Sequence, residues 1–448
     1  MPTAVKIRKI AVAIMLTVMS VCLAACLSVK ADELYRLPEV SEEYLKLQKQ
    51  LDAVLALNAE YSPPASGPNR QTVQYIDLDN SGVNEIIAFF AFPSVGTLQM
   101  YIFENIEGDY SVSGIIEGVG TAFESVRYVD MDGDGILEIL IGWQMSSALK
   151  QLSVYSIKDF HAVLLAKADY SVLTVADLSE DGNDDIVVLR LPTEETGAVA
   201  EVFILMPDGE IVSAETRLSN GIEAVSRVLT GKLTDGTSAV FIDSEGKYDN
   251  GNLVTDICIL REGSFLNISV APQSGVSEET VRSRQQSSDM QGNGIITVPI
   301  PRLLKAQSET AYYAIDWYAF SRFGRSSLSL TTYHNNFDGW YLILPYNWRG
   351  KVSVRREDIF SGERTVIFSH IDERDGQYED FLKIYKLFGD MAEERARIPG
   401  RTMLLKEDIA IYAFELLEPP NSFGLTFNEA LIKENFKLIY SEWLTGTN

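Results

Sequence analysis

Asp130-Met131-Asp132-Gly133-Asp134-Gly135-Ile136-Leu137-Glu138 is the stretch from which the architecture can be read. Its carboxylates occupy positions 1, 3, 5 and 9, and a glycine holds position 6. Side chains at alternate positions of such a loop converge, and the glycine takes a turn that a Cβ would obstruct. Strand-like runs flank it, Val126 to Val129 before and Ile139 to Trp143 after. An EF-hand would need a bidentate Glu at position 12 between helices, but position 12 is Ile141 in an apolar run. The pattern predicts a loop for a hard cation, calcium, set between two strands.

The pattern recurs. Asp77 to Glu85 precedes Ile86-Ile87-Ala88-Phe89-Phe90, and Asp177 to Asp185 precedes Ile186-Val187-Val188-Leu189. Two weaker copies run from Gly231 to Ala239 and from Asp289 to Thr297. First positions 77, 130, 177, 231 and 289 are spaced by 53, 47, 54 and 58 residues, and Gly holds position 6 each time. A period near 50 in a strand-rich sequence predicts propeller blades or a related array, because one blade cannot bury its own apolar face.

The N-terminus has another texture. Lys6, Arg8 and Lys9 precede an apolar run from Ile10 to Leu23, which suits a signal peptide and is short for a membrane-spanning helix. The run ends Leu23-Ala24-Ala25-Cys26, a tetrad that resembles the bacterial lipobox. That resemblance implies removal of residues 1–25 and lipidation of Cys26; the alternative is ordinary secretory cleavage nearby. Residues 26–67 then form a tether and a helix from about Ser41 to Asn58. The helix carries Leu45, Leu47, Leu51, Val54 and Leu55 and is broken by the Pro63-Pro64 segment.

Three cysteines are present, and Cys22 and Cys26 belong to the signal region. Cys258 is left alone in a strand-like run, so the mature chain has no intramolecular disulfide. A buried inert thiol is the expected reading and a catalytic thiol the alternative. The net charge of −25 becomes about −28 without the three basic signal residues. This argues against nucleic acid and against docking on anionic lipid by charge.

Within about Pro68 to Arg302 the strand-loop-strand pattern resembles the FG-GAP/VCBS repeat family, as found in lipoproteins of Firmicute bacteria. The resemblance implies calcium ligands Asp77, Asp79, Ser81 and Glu85 in the first loop. In the second they are Asp130, Asp132, Asp134 and Glu138, and in the third Asp177, Ser179, Asp181 and Asp185. Position 7 (Val83, Ile136, Asn183) would add a backbone carbonyl. The second loop carries most carboxylates and should bind tightest. Asp and Asn also cap turns without metal, so plain Asx-turns are the competing explanation. The fourth and fifth copies lack ligand residues and are expected to keep the fold without a tight ion.

The expected fold is mainly β, a calcium-binding β-propeller over residues 68–332 followed by a small α+β domain over 333–448. That last region shows further strands and a capping box, Thr426-x-x-Glu429, ahead of Ile432, Phe436, Ile439 and Trp443 on one helix face. By pattern alone it resembles the PsbP-like sandwich. Its titratable candidates are His334, Asp338, Glu357, His370 and Asp372, with no H-E-x-x-H, G-x-S-x-G or phosphate-loop spacing. The aromatic group Trp340, Tyr341, Tyr346 and Trp348 reads as core, with sugar or peptide stacking as the alternative.

The expected function is lipid-anchored, extracytoplasmic binding of a protein, peptide or cell-wall glycan on the propeller rim, without enzymatic activity or nucleic acid. The alternatives are an extracytoplasmic hydrolase or polysaccharide-processing enzyme using the C-terminal cleft, and a spacer for another subunit.

Overall fold

The computed structural model describes residues 42–106, 108–118, 120–158, 161–247, 252–283, 285–305, 310–372, 374–419 and 422–439. The signal peptide, Cys26, the tether before Glu42, the Ser41 cap and Trp443 lie outside the described residues.

Six antiparallel sheets follow one another along the chain. The first is built from β1 (Glu60–Tyr61), β2 (Val73–Ile76), β3 (Glu85–Phe92), β4 (Thr97–Ile106) and β5 (Asp109–Gly118), with β1 and β2 both paired to β3. The second is the meander β6 (Ala122–Val129), β7 (Glu138–Gln144), β8 (Lys150–Lys158), β9 (His161–Tyr170). The third is β10 (Val172–Ala176), β11 (Asp185–Arg190), β12 (Val199–Leu205), β13 (Ile211–Arg217). The fourth runs β14 (Ile222–Lys232), β15 (Ser238–Gly246), β16 (Asn252–Arg261), β17 (Ser264–Asn267), with β18 (Arg282–Ser283) also on β16. This is the expected class: mainly β, in blades of the propeller type.

In each of these sheets one central strand, β3, β7, β11 or β15, reads as a near-continuous apolar run, not an alternating one, because both of its faces are covered. In β3, Ile87 and Phe89 face the second sheet, whereas Ile86, Ala88, Phe90 and Phe92 pack under the helix α1 (Glu42–Leu55). Leu47, Leu51 and Val54 of α1 close that face, so the helix packs on the first sheet. The same parity continues. Leu140 of β7 meets Ile186 and Val188 of β11, and Val187 and Leu189 meet Val240 and Ile242 of β15.

The fifth sheet contains β19 (Thr297–Leu303), β20 (Tyr313–Phe320), β21 (Ser326–Asn335), β22 (Trp340–Leu344) and, from the C-terminus, β28 (Phe436–Leu438). Its first strand is reduced to a single bridge, Ser288 to Thr297. The cause is local: alternate backbone nitrogens, those of residues 297, 299 and 301, face that side, and only Thr297 carries an N–H, which donates to the Ser288 carbonyl, because residues 299 and 301 are prolines. The sixth sheet orders β23 (Val352–Phe360), β24 (Glu363–Ile371), β25 (Tyr378–Leu387), β27 (Ile411–Leu416), β26 (Arg401–Lys406). The five-residue helix α2 (Ala392–Ala396) packs on its far face against Tyr385, Leu387, Ile411 and Ala413.

The boundary expected at 332/333 falls inside β21, where Thr331 to Asn335 pair with β22. Residues 333–448 therefore complete the fifth sheet and supply the sixth. One core joins the two, with Tyr333, Trp340 and Leu342 against Trp348, Phe368, Phe381 and Phe414. The terminal helix is also shorter than its capping box implied. The helix α3 spans Glu429–Asn435 and is capped by Asn428, whose Oδ1 accepts the Leu431 N–H at 2.9 Å. Phe436 then leaves the helix because the edge of β22 captures residues 436–438 as a strand.

Candidate metal centre

Each of the first three loops joins two adjacent, paired strands of its sheet: 77–84 between β2 and β3, 130–137 between β6 and β7, 177–184 between β10 and β11. Position 1 organises the loop from inside. Asp77 accepts the Ser81 and Gly82 N–H groups at 3.0 and 2.9 Å, and Asp130 accepts those of Gly133 and Gly135 at 2.7 and 3.1 Å. Position 9 opens the next strand and turns its carboxylate back: Glu85, Glu138 and Asp185 accept the N–H of Leu78, Met131 and Leu178 at 2.8, 3.0 and 2.8 Å. The glycine at position 6 has φ of +83°, +87° and +95° in the three loops, the left-handed region that favours this residue.

Hydrogen bonds of this kind would also hold a metal-free turn. What goes beyond a turn is the convergence of acids. Carboxylate oxygens of Asp77, Asp79 and Glu85 lie within 4.8 Å of one another, as do those of Asp130, Asp132 and Glu138. Burial, then the charges of Asp132, Asp134 and Asp130, push Glu138 up to about 7. Burial and the neighbouring acids Asp79 and Asp77 likewise raise Glu85, and burial with Asp134 and Asp130 raises Asp132. A cation among these oxygens would remove that penalty. In the third loop, Asp177 Oδ1 is buried with no hydrogen-bond donor among the described residues, but Asp177, Asp181 and Asp185 do not converge as the acids of the first two loops do. All donors are hard oxygens, a set that fits calcium.

The sequence reading places Asp134, Asp181, Ser81, Ser179, Val83, Ile136 and Asn183 on the same loops. Of these, Ser81, Asp134 and Asp181 also bond the loop backbone: Ser81 Oγ accepts the Val83 N–H, Asp134 that of Ile136 and Asp181 that of Asn183. It missed the contacts between loops. The Leu137 N–H donates to the Leu78 carbonyl at 2.8 Å, and that of Asp184 to the Asp130 carbonyl at 3.4 Å. A Cβ on Gly133 would lie 2.6 Å from Asn183 Oδ1, and one on Gly135 2.8 Å from Asn80 Nδ2. Asp184, beside Asp185, has its carboxyl raised by burial and then by Asp177 and Asp130. The only advance signal was an extra acid at position 8.

The weaker copies diverge in instructive ways. Burial would raise Asp235, but hydrogen bonds from Thr237 and Arg322 outweigh it and lower the carboxyl; Arg322 Nε sits 3.1 Å away, a cationic side chain at the loop carboxylate. Asp289 keeps the wrapping role, accepting from Gln291, Asn293 and Gly294.

The C-terminal candidates are dispersed. His334 is partly buried, and this desolvation lowers it to about 4; it stacks on Tyr341, and His370 stacks on Phe423 at 4.6 Å. Asp338 binds Arg364 and Asn335, Glu357 pairs with Arg355, and Asp372 pairs with Arg374. Trp340, Tyr341 and Trp348 are core, as expected, whereas Tyr346 is 80% exposed. Cys258 is buried, and burial followed by the charge of Asp256 raises its thiol.

No family model matches the chain, and no curated protein matches it. Among solved structures it is similar to a Dos1 propeller at 10% identity, with a TM-score of 0.30, over 80% of this chain and 89% of that one. It is also similar to a protein from Lactobacillus plantarum at 9% identity, with a TM-score of 0.19, over 64% of this chain and 91% of that one.

Proposed function

We propose that this chain is a lipid-anchored extracytoplasmic binding scaffold whose propeller-type blades are braced by calcium. One observation carries the calcium: two consecutive sheets each gather three carboxylates within 4.8 Å at the same point of the strand-loop-strand unit. Asp77, Asp79 and Glu85 would hold one ion and Asp130, Asp132, Asp134 and Glu138 another, with Asp177, Ser179, Asp181 and Asp185 as a third set. The ion's part is to neutralise the loop and pin position 9 to the start of the second strand. The anchor rests on Leu23-Ala24-Ala25-Cys26, and the binding role on a scaffold of stacked sheets that displays its loops. Its ligand class is a protein, peptide or glycan.

Thermal unfolding with millimolar calcium and with chelator tests this. A ligand that binds only the folded state stabilises it by about 2.7 kcal/mol at a hundredfold excess over Kd. Calcium should raise the melting temperature, and the double variant Asp132→Ala, Asp134→Ala should lose most of the rise. An unchanged midpoint would leave the loops as plain turns.

A further inference from the structure

Eight acids are buried among the described residues, each no more than 5% exposed, and they divide by what faces them. Glu85, Glu138 and Asp185 lie in the first three sheets, at position 9 of their loops. Their carboxylates accept backbone N–H groups: that of Leu78, that of Met131, and those of Leu178 and Ser179. Around Glu85 gather the acids Asp77 and Asp79, and around Glu138 gather Asp130 and Asp132. The first three sheets have ion pairs of their own, Lys150 with Glu124 and Arg190 with Glu201, but these join acids other than the position-9 carboxylates.

The other five buried acids lie in the last three sheets, and four of them meet an arginine. Arg282 reaches Asp243 at 2.9 Å, Arg302 and Arg349 reach Asp316 at 2.8 and 2.9 Å, and Arg364 reaches Asp338 at 2.9 Å. Arg401 grips Glu363 through two hydrogen bonds of 2.9 Å each. The fifth, Asp256, accepts from Ser219, Ser277 and Asn267.

The repeat itself shows the exchange. In the fourth copy, position 5 is Asp235 and position 9 is Ala239. Arg322, from the turn between β20 and β21 in the next sheet, brings its Nε to Asp235 Oδ2 at 3.1 Å and its backbone N–H to the same oxygen at 3.2 Å. Beside it the Thr234 N–H donates to the Phe320 carbonyl at 2.9 Å. A guanidinium thus stands where the first two copies gather carboxylates.

A buried acid needs a compensating positive group. An arginine of the chain supplies it under all conditions, because its guanidinium stays protonated. A bound ion supplies it only while the ion is present. We infer that calcium acts on this molecule as a graded switch: its withdrawal loosens the first two sheets, while the fourth to sixth, braced by their own arginines, keep their structure. The inference rests on the calcium reading proposed above and adds where along the chain the ion acts. Units of one chain that open separately are the ordinary form of local unfolding.

Hydrogen exchange followed by mass spectrometry on the intact chain, in millimolar calcium and in chelator, tests it. Chelator should speed exchange about tenfold in residues 77–92 and 130–144 and leave 238–246, 313–320 and 363–371 within about twofold. Arg322→Gln should speed exchange in 231–237 equally in calcium and in chelator, and Arg322→Lys should restore most of the protection. Three results overturn the inference: protection lost evenly over all six sheets, wild-type exchange in 231–237 of Arg322→Gln, or reversal of that variant's effect by calcium. An even loss would leave the calcium-braced scaffold standing. No change in any sheet also overturns the inference, and with an unchanged melting temperature it takes the calcium reading down as well.

Discussion

The backbone N–H of Leu137, in the second loop, donates to the carbonyl of Leu78, in the first, at 2.8 Å. Leu78 itself is held by Glu85 through its own N–H. A ligand that orders one loop therefore fixes an acceptor for the next, and Asp184 repeats the arrangement one sheet on. Coupling by direct hydrogen bonds needs no change of overall shape. In calcium, the double variant Asp132→Ala, Asp134→Ala should lose amide hydrogen-exchange protection at Leu137 and also at Leu78 to Gly82. Protection lost in the second loop alone would mean that the loops respond independently.

The first loop differs from the second at position 5, where Ser81 replaces the carboxylate of Asp134. Ser81 is exposed, and its N–H is already held by Asp77 and Asp79, so the backbone geometry for an acid is in place. Affinity in oxygen-ligand loops rises with ligand charge. Ser81→Asp should tighten calcium binding at the first site, on the order of tenfold, and lower the melting temperature in chelator because a fourth carboxylate joins an unneutralised group. A calcium titration followed by loop-one amide signals, with melting curves in both conditions, checks both signs.

How much of this was legible depends on where local chemistry decides the backbone. Asp77, Asp130 and Asp177 fold their loops by bonding amides a few residues away, and glycine at position 6 is dictated by φ. Such features are written in consecutive residues. The continuous apolar runs of β3, β7 and β11 likewise announce strands covered on both faces. The sixth sheet has no such loop and places β27 between β25 and β26, an order set by long-range pairing. Phe436 continues a helical apolar stripe in the sequence, yet the open edge of β22 claims it.

Glu124 predicts an acid-sensitive step. Burial alone would raise this carboxyl, but hydrogen bonds from Lys150, Tyr170, Ser125 and Ser66 outweigh it and hold it down at about 2. Lys150 Nζ and Ser66 Oγ reach Oε1 at 2.8 Å each, and the Tyr170 hydroxyl reaches Oε2 at 2.7 Å, so the group ties the segment before β2 to three strands of the second sheet. A carboxyl with a depressed folded pKa contributes stability above its unfolded value, near 4.5, and loses it as pH falls towards 2. Wild-type stability should decline across that window, and Glu124→Gln should be less stable at neutral pH but flatter between pH 4.5 and 2. Parallel slopes for the two proteins in denaturant titrations would assign the acid step to other carboxylates.

Cutting the chain after residue 332 tests whether its last quarter is separable. The cut removes β22 and β28 from the fifth sheet and deletes the sixth sheet against which that sheet packs. Trp340, Trp348, Phe368, Phe381 and Phe414 are each fully buried in that shared core. Truncating one such aromatic side chain typically costs about 3–5 kcal/mol, against a total stability of roughly 5–15 kcal/mol for a domain, so losing the whole face cannot be absorbed locally. Fragment 68–332 should therefore lack the cooperative transition of the intact chain or aggregate on expression, and fragment 333–448, carrying Trp340 and Trp348 without β20 and β21, should not fold alone. Two fragments that each melt cooperatively and keep protected amides in β21 and β24 would instead establish an independent C-terminal domain beginning at Tyr333.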